Sequence, residues 1–300
     1  MKVTMVNSMI SFRNKIDSHI KIIKNINSGS FLNAENDISH HKAIVQEYKK
    51  YSGEEINGKR VLDLGCGQLA FQTFLFTIDG ANVTGIDLEV PTYKLNLPLF
   101  IKIVKTNGFE RAIKSMVRHL LFDKRYFKVL KKYNEIFPKE VDTRIMSATD
   151  LKFDDNTFDY ITSDWVFEHI DDPKLAIQNI YRTLKKGGIC RTNIHLFPSL
   201  SGSHNLDWRN ADDESIIRTV PPWDHLREYK YPANVFLNKL KKDEFYKIFK
   251  EQFTILEIYE EKEGENRLFN LDSKIKNELN QKGYSDEDLT TVSMTIICQK

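Results

Sequence analysis

Val61-Leu62-Asp63-Leu64-Gly65-Cys66-Gly67-Gln68-Leu69-Ala70 is a short apolar run that carries one carboxylate, turns through two glycines and opens into a helix-compatible segment. Gly65 and Gly67 allow a sharp backbone turn and a close ligand approach where a Cβ would collide. A second apolar run, Val83-Thr84-Gly85-Ile86, ends at Asp87, 22 residues after Gly65. In a βαβ unit, an acid at that place accepts the hydroxyls of a ribose. The pattern therefore predicts a parallel α/β sheet and an adenosine-containing cofactor.

Two cofactors fit the glycines. Gly65-x-Gly67-x-x-Ala70 satisfies the loose dinucleotide fingerprint, in which a pyrophosphate sits on the helix N-terminus. Asp63 argues the other way. A carboxylate two residues before the first glycine repels a pyrophosphate and suits a cofactor that ends in an ammonium and a sulfonium. Asp63-Leu64-Gly65-Cys66-Gly67 resembles the first motif of the S-adenosylmethionine-dependent methyltransferases with a Rossmann-like fold, although Leu69 stands where that family often has a third glycine. Four later segments resemble the family's later motifs in their usual order: Ser147 to Phe153, Phe158 to Ser163, Phe167 to Pro173 and Leu184 to Gly188. The resemblance covers about Lys59 to Ile194. It implies an α/β fold with a seven-stranded sheet, six strands parallel and the last antiparallel. It also implies S-adenosyl-L-methionine as cofactor and S-adenosyl-L-homocysteine as product. The cofactor would meet Asp63, Gly65, Cys66, Gly67, Asp87 and Leu88. Ser147 and Ala148 would lie at the adenine, and Asp164 and Trp165 beside the transferable methyl.

The rest of the chain frames this unit. With 300 residues and 41% hydrophobic residues, it is long enough for one large domain with an inserted segment. Residues 1–57 read as a helical segment, with loosely helical spacing of Ile10, Ile16, Ile20 and Ile23 and an Asp37-Ile38-Ser39 cap for a helix through Tyr51. Residues 58–300 read as the catalytic domain. From Pro91 to Glu140 the βα rhythm breaks. That stretch holds twelve Lys or Arg against four acids, a net +8 in a chain of net +2. Its apolar spacing predicts a helical insertion, a cap over the active site. Lys185-Lys186-Gly187-Gly188 is expected to end a helix before a strand over Ile189–Ile194. No long apolar run predicts a membrane span or leader. Cys66, Cys190 and Cys298 have no metal spacing and read as buried thiols, which fits a reducing cytoplasm.

Methyl transfer to a hydroxyl benefits from a base, and histidine is the natural one at neutral pH. His169, in Glu168-His169, and His225, in Pro221-Pro222-Trp223-Asp224-His225-Leu226-Arg227, are the candidates. The loop 195–232 gathers His195, His204, Asp207, Trp208, Asp224 and Arg227, polar and aromatic groups of the kind that bind sugar hydroxyls. The expected acceptor is thus a sugar, a nucleotide-sugar or a surface-polysaccharide precursor. No metal is expected, because Glu168, His169 and a loop acid lack tight ligand spacing. The basic insertion admits three readings: solvated helix faces, a seat for an anionic substrate, or a surface for RNA or an acidic membrane. N-methylation, a nicotinamide-dependent dehydrogenase and a non-catalytic cofactor-binding protein are the other functions the motifs allow.

Overall fold

The computed structural model describes residues 33–93, 96–134, 136–205, 207–208, 218–233, 235–263 and 272–300. The expected helix around Ile10 to Ile23 lies outside them. Seven strands form one sheet: β1 Arg60–Leu64, β2 Asn82–Asp87, β3 Asp142–Ile145, β4 Phe158–Asp164, β5 Leu184–His195, β6 Thr254–Lys262 and β7 Thr291–Gln299. Their spatial order is β3-β2-β1-β4-β5-β7-β6. Only β7 runs antiparallel to its neighbours, so the sheet is the one expected. The central strands are buried on both faces, which is why they read as continuous apolar runs and not as alternating ones.

Helices cover both faces. On one face α6 (Pro173–Thr183) and α7 (Lys242–Lys250) enclose a core of Leu62, Leu64, Ile161, Ile177, Ile180, Phe245, Phe249 and Met294. On the other, α1 (Ala34–Ser52) and α2 (Phe71–Ile78) lay Ile44, Tyr48 and Phe76 against Val61, Tyr160 and Ile189. Each fully buried side chain of this size contributes about 1.5–3 kcal/mol. Helix α1 starts four residues earlier than the Asp37-Ile38-Ser39 cap implied. Asn33 is the cap, its side chain accepting from the amides of Glu35 and Asn36.

The insertion is helical. It comprises α3 (Leu97–Asn107), α4 (Phe109–Arg118), one π turn (His119–Asp123) and α5 (Lys124–Leu130). Helix α5 packs Tyr126 and Leu130 on Leu75 of α2 and Ala34 of α1. The Tyr126 hydroxyl donates to Asp37 at 2.6 Å and that of Tyr133 to Asp79 at 2.9 Å. Arg111 of α4 ties the insertion to Glu89, just beyond β2, at 2.5 Å. A hollow of about 580 Å³ lies between α2 and the insertion, lined by Phe74, Tyr93, Phe127, Phe137 and several lysines. It holds none of the residues singled out for methyl transfer.

Two local expectations change. Leu184 to Gly188 does not simply end a helix: the chain leaves α6 straight into β5, with Leu184 paired to Phe158 and the register shifting before Ile189 pairs with Tyr160. A short helix α9 (Asp286–Thr290), after α8 (Ser273–Gln281), was not anticipated; Ser285 and Asp288 form its capping box. Among the described residues, no helix is long and apolar enough to cross a membrane.

Candidate active site

The strand order reverses between β1 and β4, and a crevice opens there at the carboxyl ends. All the residues assigned to the cofactor come to this edge. Asp63 lies near the end of β1, Asp87 ends β2, Ser147 and Ala148 follow β3, and Asp164 ends β4 with Trp165 just beyond it. The amides of Gly65 and Cys66 both donate to the Ile86 carbonyl, locking the turn against β2. Gly65 has φ +80°, and a Cβ there would fall 2.1 Å from Val166 Cγ2. Only glycine fits. Asp87 accepts the Gly67 amide on Oδ2 at 2.9 Å and the Glu89 amide on Oδ1 at 2.8 Å, so it organises the turn. Leu88, beside it, is two-thirds exposed and offers an apolar face. Ser147 shares a 2.8 Å hydrogen bond with Thr149. Burial pushes the Cys66 thiol up, so it stays protonated and inert.

Three carboxylates converge on this edge. Asp63 is buried and accepts a 2.6 Å hydrogen bond from Thr73. Burial, and the nearby charges of Asp164 and Asp87, push it up to about 7. Asp87 is raised too, mainly by burial. Burial would also raise Asp164, but Arg191 at 2.6 Å and His40 at 3.3 Å outweigh it and hold Asp164 below the ordinary range. A cation relieves this crowding, whereas a pyrophosphate aggravates it. The electrostatics therefore agree with the reading of Asp63 from sequence.

A pH dependence follows. Asp63 must ionise to meet a cationic ligand, and its pKa is raised in the folded state. Cofactor affinity is expected to fall about tenfold per pH unit below about 7 and to level off above it. In the ligand-free protein the same shift acts on folding in the opposite sense. The stability it confers is present below the unfolded value of 3.8 and is lost as pH rises through about 7. Titrating S-adenosylmethionine affinity from acid to neutral pH checks this, and Asp63→Asn should bind more weakly and flatten the profile.

The histidines divide. His169 sits in the 3₁₀ turn Phe167–His169, which Asn238 clamps by donating from Nδ2 to the Phe167 and Ile170 carbonyls. Its Nδ1–H donates to the Phe236 carbonyl at 2.9 Å, which leaves the Nε2 lone pair as acceptor. Burial lowers its pKa, keeping the ring neutral. A row of rings links it to the strand ends. His169 lies 4.8 Å from His204, His204 lies 4.8 Å from His195, and His195 lies 5.2 Å from the half-exposed indole of Trp165.

His225 is a different case, and the expectation of a base there is corrected. It is buried, its Nε2 meets the Phe197 carbonyl at 2.9 Å, and burial drives its pKa down to about 4. The loop's other polar groups also turn inward. Asp207 accepts from the amides of Thr219 and Val220, and the Trp208 indole donates to Val220. Asp224 is buried and accepts the Tyr231 amide, and Arg227 pairs with Glu278 at 2.9 Å. Trp223 anchors as expected, donating to the Pro198 carbonyl. Of the six residues assigned to substrate, His195 and His204 alone join the row of rings; Asp207, Trp208 and Asp224 pin the loop to itself, and Arg227 ties it to α8. Arg209, in the same loop, lies outside the described residues.

Sequence reasoning missed a network behind the site. Arg191, in the middle of β5, is buried and joins Asp164 at 2.6 Å, Glu47 of α1 at 2.7 Å and the Tyr259 hydroxyl at 3.3 Å. The signal was available: a charged residue inside the apolar run Ile189-Cys190-Arg191-Thr192-Asn193-Ile194 must be paired if buried. Ligand spacing was also silent on Glu168, His195 and His204, yet a donor atom from each lies within 4.8 Å of the others.

Comparison with known proteins gives partial matches. Residues 62–192 match the family described as a methyltransferase domain. Over 135 residues the chain is 28% identical to a ubiquinone biosynthesis O-methyltransferase of Xanthomonas oryzae pv. oryzae, covering 45% of this chain and 42% of that protein. Over 50 residues it is 36% identical to the ubiquinone/menaquinone biosynthesis C-methyltransferase UbiE of Desulfotalea psychrophila, covering 17% and 20%. The chain thus matches less than half the length of these curated relatives. Among solved structures, phosphoethanolamine N-methyltransferase 2 of Haemonchus contortus, in complex with S-adenosyl-L-methionine, is 18% identical with a TM-score of 0.48, covering 87% of this chain and 52% of that one. The PH0226 protein of Pyrococcus horikoshii is 19% identical with a TM-score of 0.46, covering 92% and 93%.

Proposed function

We propose that this chain, whose residues 62–192 are an S-adenosylmethionine-dependent methyltransferase domain, transfers the cofactor's methyl group to a hydroxyl oxygen of a small, ring-bearing molecule, with His169 as the base. The observation that carries the reading is the His169 ring. It is neutral, with Nδ1–H committed to a backbone carbonyl and Nε2 left to accept a proton, on the turn that follows β4. When bound, S-adenosylmethionine would supply the methyl carbon as electrophile and a thioether as the leaving group that takes the carbon–sulfur electron pair. The acceptor's hydroxyl proton would pass to Nε2 of His169. Holding the two reactants in line supplies most of the acceleration, up to roughly 7–11 kcal/mol.

A phenolic hydroxyl suits this base best. Phenols ionise near pH ~10, so a neutral imidazole needs to do far less than it would for an aliphatic alcohol. The half-exposed Trp165 indole at the end of β4 offers a face on which an acceptor ring stacks. The longer curated matches, at 28% identity over 135 residues, are named O-methyltransferases, which supports oxygen as the acceptor atom. A sugar acceptor rested on the loop 195–232, and most of that loop's assigned side chains are used inside it.

The test is an acceptor panel with methyl-labelled S-adenosylmethionine, comparing simple phenols and catechols with hexoses, nucleotide-sugars, amines and RNA. Labelled phenyl ethers are the expected product. Turnover of sugars, amines or RNA with none of phenols would overturn the reading, and cofactor binding without transfer to any acceptor would mark a non-catalytic protein.

A further inference from the structure

We propose that Glu168, His195 and His204 hold a divalent transition-metal cation, zinc(II) being the ion their chemistry suits. The three donors come from separate elements: the turn after β4, the end of β5 and the loop beyond it. One donor atom from each lies within 4.8 Å of the other two, and His204 Nε2 is 3.9 Å from Glu168 Oε1. That distance is too long for a hydrogen bond. Ligands 2.0–2.2 Å from one tetrahedral ion stand about 3.3–3.6 Å apart. Small rotations of two side chains therefore close the set around an ion.

Glu168 makes the case more than a chance meeting of side chains. Its side chain is only 3% exposed, and no hydrogen bond of ordinary length and angle reaches either carboxylate oxygen, although the backbone amides of Glu168 and His195 face it. A buried carboxylate without a counterion is costly, and metal coordination is one of the few ways to satisfy it. His195 is braced as ligating histidines are. Its Nε2 meets the Ser201 hydroxyl at 2.9 Å, and that hydroxyl donates to Glu263 at 3.2 Å. Such an outer carboxylate–hydroxyl–imidazole chain orients the ring and raises its basicity. His204 is held with φ +56° and Trp165 with φ +60°, left-handed conformations that a folded protein keeps at sites under functional constraint.

The donor set selects the ion. Two imidazoles and one carboxylate suit zinc, and also cobalt or iron, while magnesium and calcium prefer oxygen alone. Three protein ligands leave the fourth position for an oxygen donor, as at catalytic zinc sites. Resting on the O-methylation reading, we assign that position to the acceptor hydroxyl.

The experiment uses the full chain, stripped by chelation and titrated with zinc(II) in competition with a chromophoric chelator, without cofactor or acceptor. One ion per chain is expected, and cobalt(II) should show the visible bands of a low-coordinate nitrogen–oxygen site. Glu168→Gln and His204→Gln, both near in shape, should weaken binding more than ~100-fold, and Ser201→Ala about 10-fold. Circular dichroism establishes that each variant is folded, and Glu168→Asp, which keeps the charge and shortens the reach, serves if Glu168→Gln is not. No stoichiometric binding by the parent chain, or equal affinity in the ligand variants, overturns the proposal. Because no acceptor enters the titration, its outcome stands apart from that of the acceptor panel.

Discussion

Replacing Arg191 with alanine is expected to cost about 3–5 kcal/mol of folding stability, the usual loss when a buried ion pair is broken from one side. The guanidinium is only 3% exposed and holds three partners, Asp164, Glu47 and the Tyr259 hydroxyl. Asp164 depends on it most, for the guanidinium is the strongest force keeping that buried carboxylate ionised. Without it, Asp164 is a buried carboxyl beside Asp63 and Asp87 with its main counterion gone, and it either protonates or stays charged at a cost. Urea unfolding of the variant measures the loss. Pairing Arg191→Met with Asp164→Asn should recover part of it, because the second change removes the stranded charge. A single variant as stable as the parent would show that the network carries no net stability. If the cofactor lies at this strand edge, its binding should weaken too, since Asp164 ends β4 there and Glu47 brings in α1.

The second large effect is on turnover. His169→Ala should lower kcat by about 10²–10⁴-fold, the span a positioned base supplies. Cofactor affinity should hardly change, because the Asp63, Gly67 and Asp87 contacts lie on β1 and β2 and their turn, away from the clamp that seats His169. Added imidazole should restore part of the lost rate by accepting the proton from solution, a rescue that a purely structural histidine would not show. Turnover within about threefold of the parent would remove His169 from the reaction. His225→Ala should instead loosen the loop, since His225 meets the Phe197 carbonyl and packs on the Phe197 ring.

How much of this was legible from residues alone follows from range. The glycine turn, Asp63 and Asp87 are local, because their spacing fixes backbone geometry within one βαβ unit, and the structure places them where the spacing put them. The apolar strands and the crossover helix α6 with its Asp172 cap are local too. The loop 195–232 was misjudged for a physical reason. Polar side chains in a long loop must satisfy either a ligand or the loop's own backbone, and sequence does not say which. Asp207 and Asp224 took the second course, and Arg227 a third, pairing with Glu278 of α8. The Phe236 carbonyl that sets the His169 tautomer has no signature in residue identity. The meeting of Glu168 with His195 and His204 depends on how far the loop folds back, which no spacing rule encodes.

The placement of β7 has a consequence for how this chain reaches its folded state. Strand β6 touches the sheet through β7 and, among the described residues, has no other strand partner, because β7 lies between it and β5. During synthesis β6 is complete almost thirty residues before β7 begins, yet its native partner strand is not yet made. Until Thr291–Gln299 threads antiparallel along β5, one strand waits in solution and the rim of β5 stands open. Such open rims are where chains pair with the wrong neighbour. Contacts between segments about a hundred residues apart also form slowly. The last step of sheet assembly is thus a double one, in which a single insertion docks two strands. A chain interrupted before Thr291 would forfeit both of them at once.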